Sequence, residues 1–240
     1  MIAAFLWGGL AASSLLIGFL LAERGLSNRT IGLIMGFGAG ALISAIAYEL
    51  VPESAIGGWA MAVAFVVGAL VFFGGDWLVD HTGGAHRKKI AGKKEEEGSG
   101  AAIFIGTLLD NIPESIVLGI GLAMGGSISV AFLAAVFVSN LPEGVAGTVN
   151  LAGAGHSRRN MLWMWIVMVL VSAASSVLGY ALIQWVPTAD AGVVQAFAAG
   201  AMLTMLADAM MPEAYEHGGR SAGLFTVLGF AVAAALSILA

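Results

Sequence analysis

Cysteine is absent from the 240-residue chain. That excludes disulfides, thiolate nucleophiles, iron–sulfur clusters and any cysteine-bound metal. A metal site here must draw on oxygen, imidazole nitrogen or methionine sulfur. Charge is scarce as well: 10% of residues are Asp, Glu, Lys or Arg and 59% are hydrophobic, against about 25% charged and 45–50% apolar in a soluble domain. With a mean hydropathy of +0.94, the composition is that of an integral membrane protein. No nucleic-acid partner is expected, only the lipid bilayer and whatever crosses it. The 34 glycines predict helices that approach closely through small side chains, because lipid supplies no hydrophobic drive for helix association.

Apolar runs of about 20 residues, the length needed to cross a bilayer core of roughly 30 Å, fall near 1–22, 31–53, 58–81, 100–124, 127–151, 161–185, 190–216 and 220–240. Met1-Ile2-Ala3-Ala4-Phe5-Leu6 lacks the positive n-region of a signal peptide and reads as a retained first span. Short breaks at Ser27-Asn28-Arg29-Thr30, Gly57-Gly58 and Pro187-Thr188-Ala189-Asp190 separate the spans. The long break, 83–99, carries Arg87-Lys88-Lys89, Lys93-Lys94 and Glu95-Glu96-Glu97 and reads as a solvated loop. Every basic residue (Arg24, Arg29, Arg87, Lys88, Lys89, Lys93, Lys94, Arg158, Arg159, Arg220) follows span 1, 3, 5 or 7. By the positive-inside rule those connections are cytoplasmic, and both termini are expected outside.

Residues 36–53 (GFGAGALISAIAYELVPE) match residues 196–213 (AFAAGAMLTMLADAMMPE) at a constant offset of 160. The copies lie in spans 2 and 7, five spans apart, so they cross in opposite directions. This predicts an all-α polytopic membrane protein of eight transmembrane helices in an inverted 3+2+3 repeat, helices 1–3 related to 6–8 with helices 4 and 5 central. As domains, 1–240 forms one transmembrane unit: a first three-helix repeat at 1–82, the 83–99 loop, a central pair at 100–151 and a second repeat at 161–240.

The central pair carries the chemistry. Leu109-Asp110-Asn111-Ile112-Pro113-Glu114 and Val138-Ser139-Asn140-Leu141-Pro142-Glu143 lie mid-span. Asp110, Asn111 and Glu114 share a helical face by i, i+3 and i+4 spacing, and Ser139, Asn140 and Glu143 repeat it. Pro113 and Pro142 donate no backbone hydrogen bond, which frees the carbonyls of Leu109 and Val138. An ionised side chain at mid-bilayer costs about 2.5–3.5 kcal/mol even on the lenient insertion scale. Asp110, Glu114 and Glu143 together would cost on the order of 10 kcal/mol if left ionised and unpaired. All ten basic residues are already placed in connections, so protons, water or bound cations must compensate. One such carboxylate can be a protonated structural group and one such proline a mere kink, but two copies of the set read as an ion pathway. Glu49 and Glu53 at one end of the repeat, and Asp208, Glu213 and Glu216 at the other, would line its two mouths and attract cations or simply solubilise the ends.

Elsewhere the structural reading is favoured. Asp76 and Asp80 are expected to pair with loop basic residues, Met202 and Met205 to pack in the core, and Trp7, Trp59, Trp77, Trp163, Trp165 and Trp185 to anchor mostly at span ends.

Helices 4 and 5 with their N-x-P-E segments, eight spans, outward termini and a charged loop between helices 3 and 4 resemble the Zrt- and Irt-like protein family, the ZIP divalent-metal transporters. The resemblance implies uptake of zinc, iron or related cations into the cytoplasm through a site between helices 4 and 5, often as a dimer. It implies Asp110, Asn111, Glu114, Ser139, Asn140 and Glu143 as ligands, with Glu114 placed to bridge two ions. The family usually has histidine at the position of Asp110, and histidine or another strong ligand at that of Ser139. His81, His86, His156 and His217 all lie at span ends or in loops, which leaves an all-oxygen site. Oxygen ligands suit Mn, Mg and Ca, whereas imidazole suits Zn, Cu and Ni, so manganese, ferrous iron or broad selectivity is expected beside zinc and cadmium. No prosthetic group and no enzymatic activity are expected; H-E-x-x-H is absent. The expected location is a plasma or bacterial inner membrane. A proton-coupled exchanger of another cation and a non-transporting metal sensor remain as alternatives.

Overall fold

A computed structural model describes residues 1–51, 58–81, 100–125, 128–185 and 191–239. Among them are eight helices long and apolar enough to cross a membrane, and no strand. They are α1 (Ile2–Ala22), α2 (Asn28–Leu50), α3 (Trp59–Val79), α4 (Gly100–Gly125), α5 (Val130–Gly153), α6 (Arg158–Trp185), α7 (Ala191–Gly218) and α8 (Arg220–Leu239). The chain is a multi-pass membrane protein. An even number of spans puts both termini on one side, here called the terminal side. The other face, where Arg24, Arg29, Arg158, Arg159 and Arg220 flank the helix ends, is the basic side. Pro52, Glu53, Thr82, the 83–99 loop with His86, and Pro187-Thr188-Ala189-Asp190 lie outside the described residues.

The described connections on the basic side are sharp. Gly25, Gly155 and Gly219 take positive φ values of 69°, 82° and 57°, which a side chain at Cβ disfavours. Ser27 caps α2 by accepting the Thr30 N–H at 3.1 Å, and Ser129 caps α5 by accepting that of Phe132 at 3.1 Å. Arg158 ties the start of α6 to Glu23 at the end of α1: Nε bonds one carboxylate oxygen and Nη2 the other at 3.1 Å.

Helices meet backbone to backbone at glycines. A Cβ on Gly18 of α1 would strike the Leu141 carbonyl of α5, and one on Gly144 of α5 would strike the Leu15 carbonyl of α1. The same reciprocal contact joins α4 to α6 (Gly119 on Ser176, Gly179 on Ile116), α2 to α8 (Gly40 on Thr226, Gly229 on Phe37) and α3 to α7 (Gly68 on Phe197, Gly200 on Phe65). Glycine allows this approach, and van der Waals packing replaces the missing hydrophobic drive. Helices α1, α4, α5 and α6 thus form one packed group, while α2 with α8 and α3 with α7 form two pairs beside it. Helix α2 packs on α5, and α4 on α7.

Among the described residues, α2 and α7 each carry a complete π turn within the span, at Ile46–Leu50 and Leu206–Met210. The two turns stand 160 residues apart, at the same place in the two copies of the sequence repeat. Met202 and Met205 are buried, as expected. Trp165 corrects the expectation of an interfacial anchor: it is 1% exposed, lies against Gly147 of α5 and donates its Nε1–H to Thr148 Oγ1 at 3.0 Å. A glycine on α5 opens the space, and Thr148 gives the indole the partner a buried Trp requires.

Candidate metal-cation site

Six polar side chains sit at mid-length on two contacting helices, α4 and α5. Asp110, Asn111 and Glu114 of α4 are each 1% exposed; on α5, Ser139 is 0%, Asn140 1% and Glu143 3% exposed. The i, i+3, i+4 spacing read from the sequence does put all six inside the protein.

Their amides and hydroxyls are set differently. Asn111 Nδ2 donates to the Thr107 carbonyl at 3.0 Å, and Thr107 Oγ1 donates to the Ile103 carbonyl at 3.0 Å. With its nitrogen held by the backbone, Asn111 has its oxygen left for a cation. Ser139 Oγ donates to the Val136 carbonyl at 2.9 Å and keeps its lone pairs as acceptors. Asn140 finds no hydrogen-bond partner among the described residues for either Nδ2 or Oδ1. A buried amide left so costs about 1–3 kcal/mol, which a bound ion or water would offset. Pro113 and Pro142 lie within their helices, so the Leu109 and Val138 carbonyls lack their usual helical donor. Gly38 of α2 abuts Val138 and Ser139, and a side chain there would press on the backbone beside the site.

Below Asn140, Thr148 Oγ1 donates to the Gly144 carbonyl at 2.6 Å while accepting from Trp165. This relay holds the turn that follows Glu143. Thr107 and Thr148 were not singled out from the sequence, although each stands four residues from the group it serves, the spacing of a side chain bonding back to its helix.

Among the described residues no three His, Asp and Glu side chains converge as for a metal ion. A cation held here therefore takes part of its shell from amide, hydroxyl, freed carbonyl or water oxygens. His81, His156 and His217 all lie at helix ends on the basic side. His81 Nδ1 meets the Trp77 carbonyl at 2.7 Å, and His217 Nδ1 lies 3.3 Å from Glu213 Oε1.

The outlying acidic residues separate into different environments. Glu49, in the α2 π turn, lines a narrow cavity of about 50 Å³ with Gln195 and Ser129 on the terminal side of the site. Val117, Leu118 and Phe132, all buried, also line it; Val117 stands one turn beyond Glu114. Asp208, in the α7 π turn, is exposed and lines a cleft of about 470 Å³ between α3 and α7 on the outer surface. Glu213 is buried at 7% and Glu216 is exposed, both at the basic end of α7. Glu53 lies outside the described residues.

A relative aligns with part of this chain. The chain is similar to the zinc transporter ZIP11 of Bos taurus. The two are 32% identical over 147 residues, 58% of this chain, and the match spans 42% of the relative's length. No family model matches the chain.

Proposed function

We propose that this chain is a ZIP-type transporter that carries divalent metal cations of the Zn, Fe and Mn class towards the cytoplasm between α4 and α5. The carrying observation is one buried polar set on two proline-containing central helices, with every basic residue of the chain at a span end or in a connection. Asp110, Glu114 and Glu143 supply charge, and Asn111, Asn140 and Ser139 supply neutral oxygen. The buried amide of Asn140, with no hydrogen-bond partner among the described residues, supports a polar role for it at this level. The similarity to a zinc transporter supports metal transport in general terms.

An inverted 3+2+3 arrangement is part of this reading. The reciprocal glycine contacts support it: exchanging α1 with α6, α2 with α7, α3 with α8 and α4 with α5 turns α1–α5 into α6–α4, and α2–α8 into α7–α3. Each exchange relates helices an odd number of spans apart, which cross in opposite senses. The matched π turns support it as well. With the basic side cytoplasmic, Glu49 stands at the outer mouth, and Glu213 and Glu216 stand at the exit. The ion sheds water, binds among these oxygens and moves down its gradient, with no prosthetic group and no covalent step.

Because the donors are oxygens, manganese and ferrous iron should compete with zinc. Uptake of Zn, Mn, Fe(II) and Cd into proteoliposomes, each with the others as competitors, tests this. Mn or Fe(II) flux at least comparable with that of Zn is expected. Flux driven by a pH gradient with no divalent metal present would favour the cation exchanger instead.

A further inference from the structure

The two copies of the repeat carry the same π turn but brace it differently. In the first, Tyr48 of the α2 turn packs on Phe230 of α8, ring centroids 6.2 Å apart and planes tilted by 57°. In the second, the residue 160 positions after Tyr48 is Asp208. Gly229 and Gly68 make equivalent contacts, on Phe37 and Phe197, so Ala69, after Gly68, stands where Phe230 stands. An aromatic pair is thus replaced by Asp and Ala. Asp208 and Ala69 both line the open α3–α7 cleft, with Phe65, Phe73 and Thr204. Among the described residues the α7 turn thus has no counterpart in this cleft to the Tyr48–Phe230 ring contact at the α2 turn.

The carboxylate makes that placement costly. At this depth an ionised Asp against lipid carries a penalty of up to about 2.5–3.5 kcal/mol. An α-helix advances about 100° per residue, and a π turn holds one extra residue within its arc. Returning Leu206–Met210 to α geometry, with the start of α7 fixed, advances the chain beyond by up to one residue's turn. That motion carries Asp208 from the cleft towards the direction now taken by Ala209. Ala209 is the 160-residue counterpart of Glu49, and Glu49 faces the inner cavity.

We infer that the π turn of α7 is a two-state switch. In the π state Asp208 lies in the α3–α7 cleft; in the α state it turns inward, towards the side from which α2 presents Glu49. The α2 turn is held in the π state by Tyr48 and Phe230. The structural part stands on its own, and the role of the switch in cation release rests on the transport reading.

The absence of cysteine makes site-specific spin labelling direct. Labels are placed on two outer-surface positions that do not line the cleft, Val66 of α3 and Met211 just past the turn, in the full chain in proteoliposomes. Two distance populations are expected, differing by about 5 Å or more, since a side chain on a helix 10–12 Å wide swings that far when the helix turns. Ala69→Phe restores the missing ring beside Asp208 and should collapse the pair to one population. A single population in the parent protein, unmoved by Ala69→Phe, overturns the switch whether or not any metal is transported. In uptake, Ala69→Phe should cut flux at least five-fold in protein that remains folded by size-exclusion and melting. Unchanged flux with one population lost overturns the role in release.

Discussion

Asn140 sharpens the contrast between a structural and a functional polar residue. A buried amide kept for stability is normally hydrogen-bonded, yet this one has no partner among the described residues. Replacing it with a similar-sized apolar side chain removes an unpaid desolvation cost. Asn140→Leu should therefore leave the melting temperature unchanged or raise it, by the equivalent of about 1 kcal/mol, while metal uptake falls at least ten-fold. A large loss of stability would mean that the amide serves the fold. Trp165→Phe gives the complementary case: it breaks the bond to Thr148 and should cost about 1 kcal/mol, read by thermal melting. The sequence made Asn140 visible through its motif but hid Trp165, because hydropathy does not distinguish an indole near a span end from one facing a glycine on the next helix.

For the elements, backbone proximity governs stability. A Cβ on Gly119 of α4 would enter the Ser176 carbonyl of α6, whereas Gly121, two residues on, has nothing within 4 Å. Gly119→Ala should destabilise by about 1–3 kcal/mol, the cost of overpacking, and Gly121→Ala should be neutral or slightly stabilising by its helix propensity; melting of the purified protein compares them. The tie between α1 and α6 responds to pH. Hydrogen bonding from Arg158 holds the Glu23 carboxyl below its ordinary range, so the tie is fully present above the unfolded pKa and is lost as pH falls through the lower folded value. Glu23→Gln should thus lower the melting temperature at neutral pH and make no difference in strong acid. Span boundaries were legible to within a few residues, since length and apolarity alone set them. The π turns were not, because the repeat fixes which residues correspond but not how many fit into a turn once the helix packs.

Across the whole molecule, the proposed inverted repeat draws on both sequence and structure. The offset of 160 already related residues 36–53 to 196–213, and the structure adds paired glycine contacts and paired π turns at matching places. What could not be read in advance is where the copies differ: Glu49 faces an inner cavity while Asp208 faces the outer cleft. A one-position difference on a helix changes facing by about 100°, and only packing shows which direction is inward. Orientation is testable with the same cysteine-free background. Gly125→Cys and Gly153→Cys introduce thiols where there is space for them. With the basic side cytoplasmic, an impermeant maleimide added to intact cells should label the first and not the second.

The most direct test is radiotracer metal uptake into proteoliposomes by the parent chain, Glu114→Ala and Glu143→Ala, with equal folded protein confirmed in each. Saturable uptake by the parent, reduced at least ten-fold by each substitution, is the result expected if the buried set carries the ion. Uptake that persists in both variants, or none of Zn, Mn, Fe(II) or Cd in the parent, would contradict transport through the α4–α5 site.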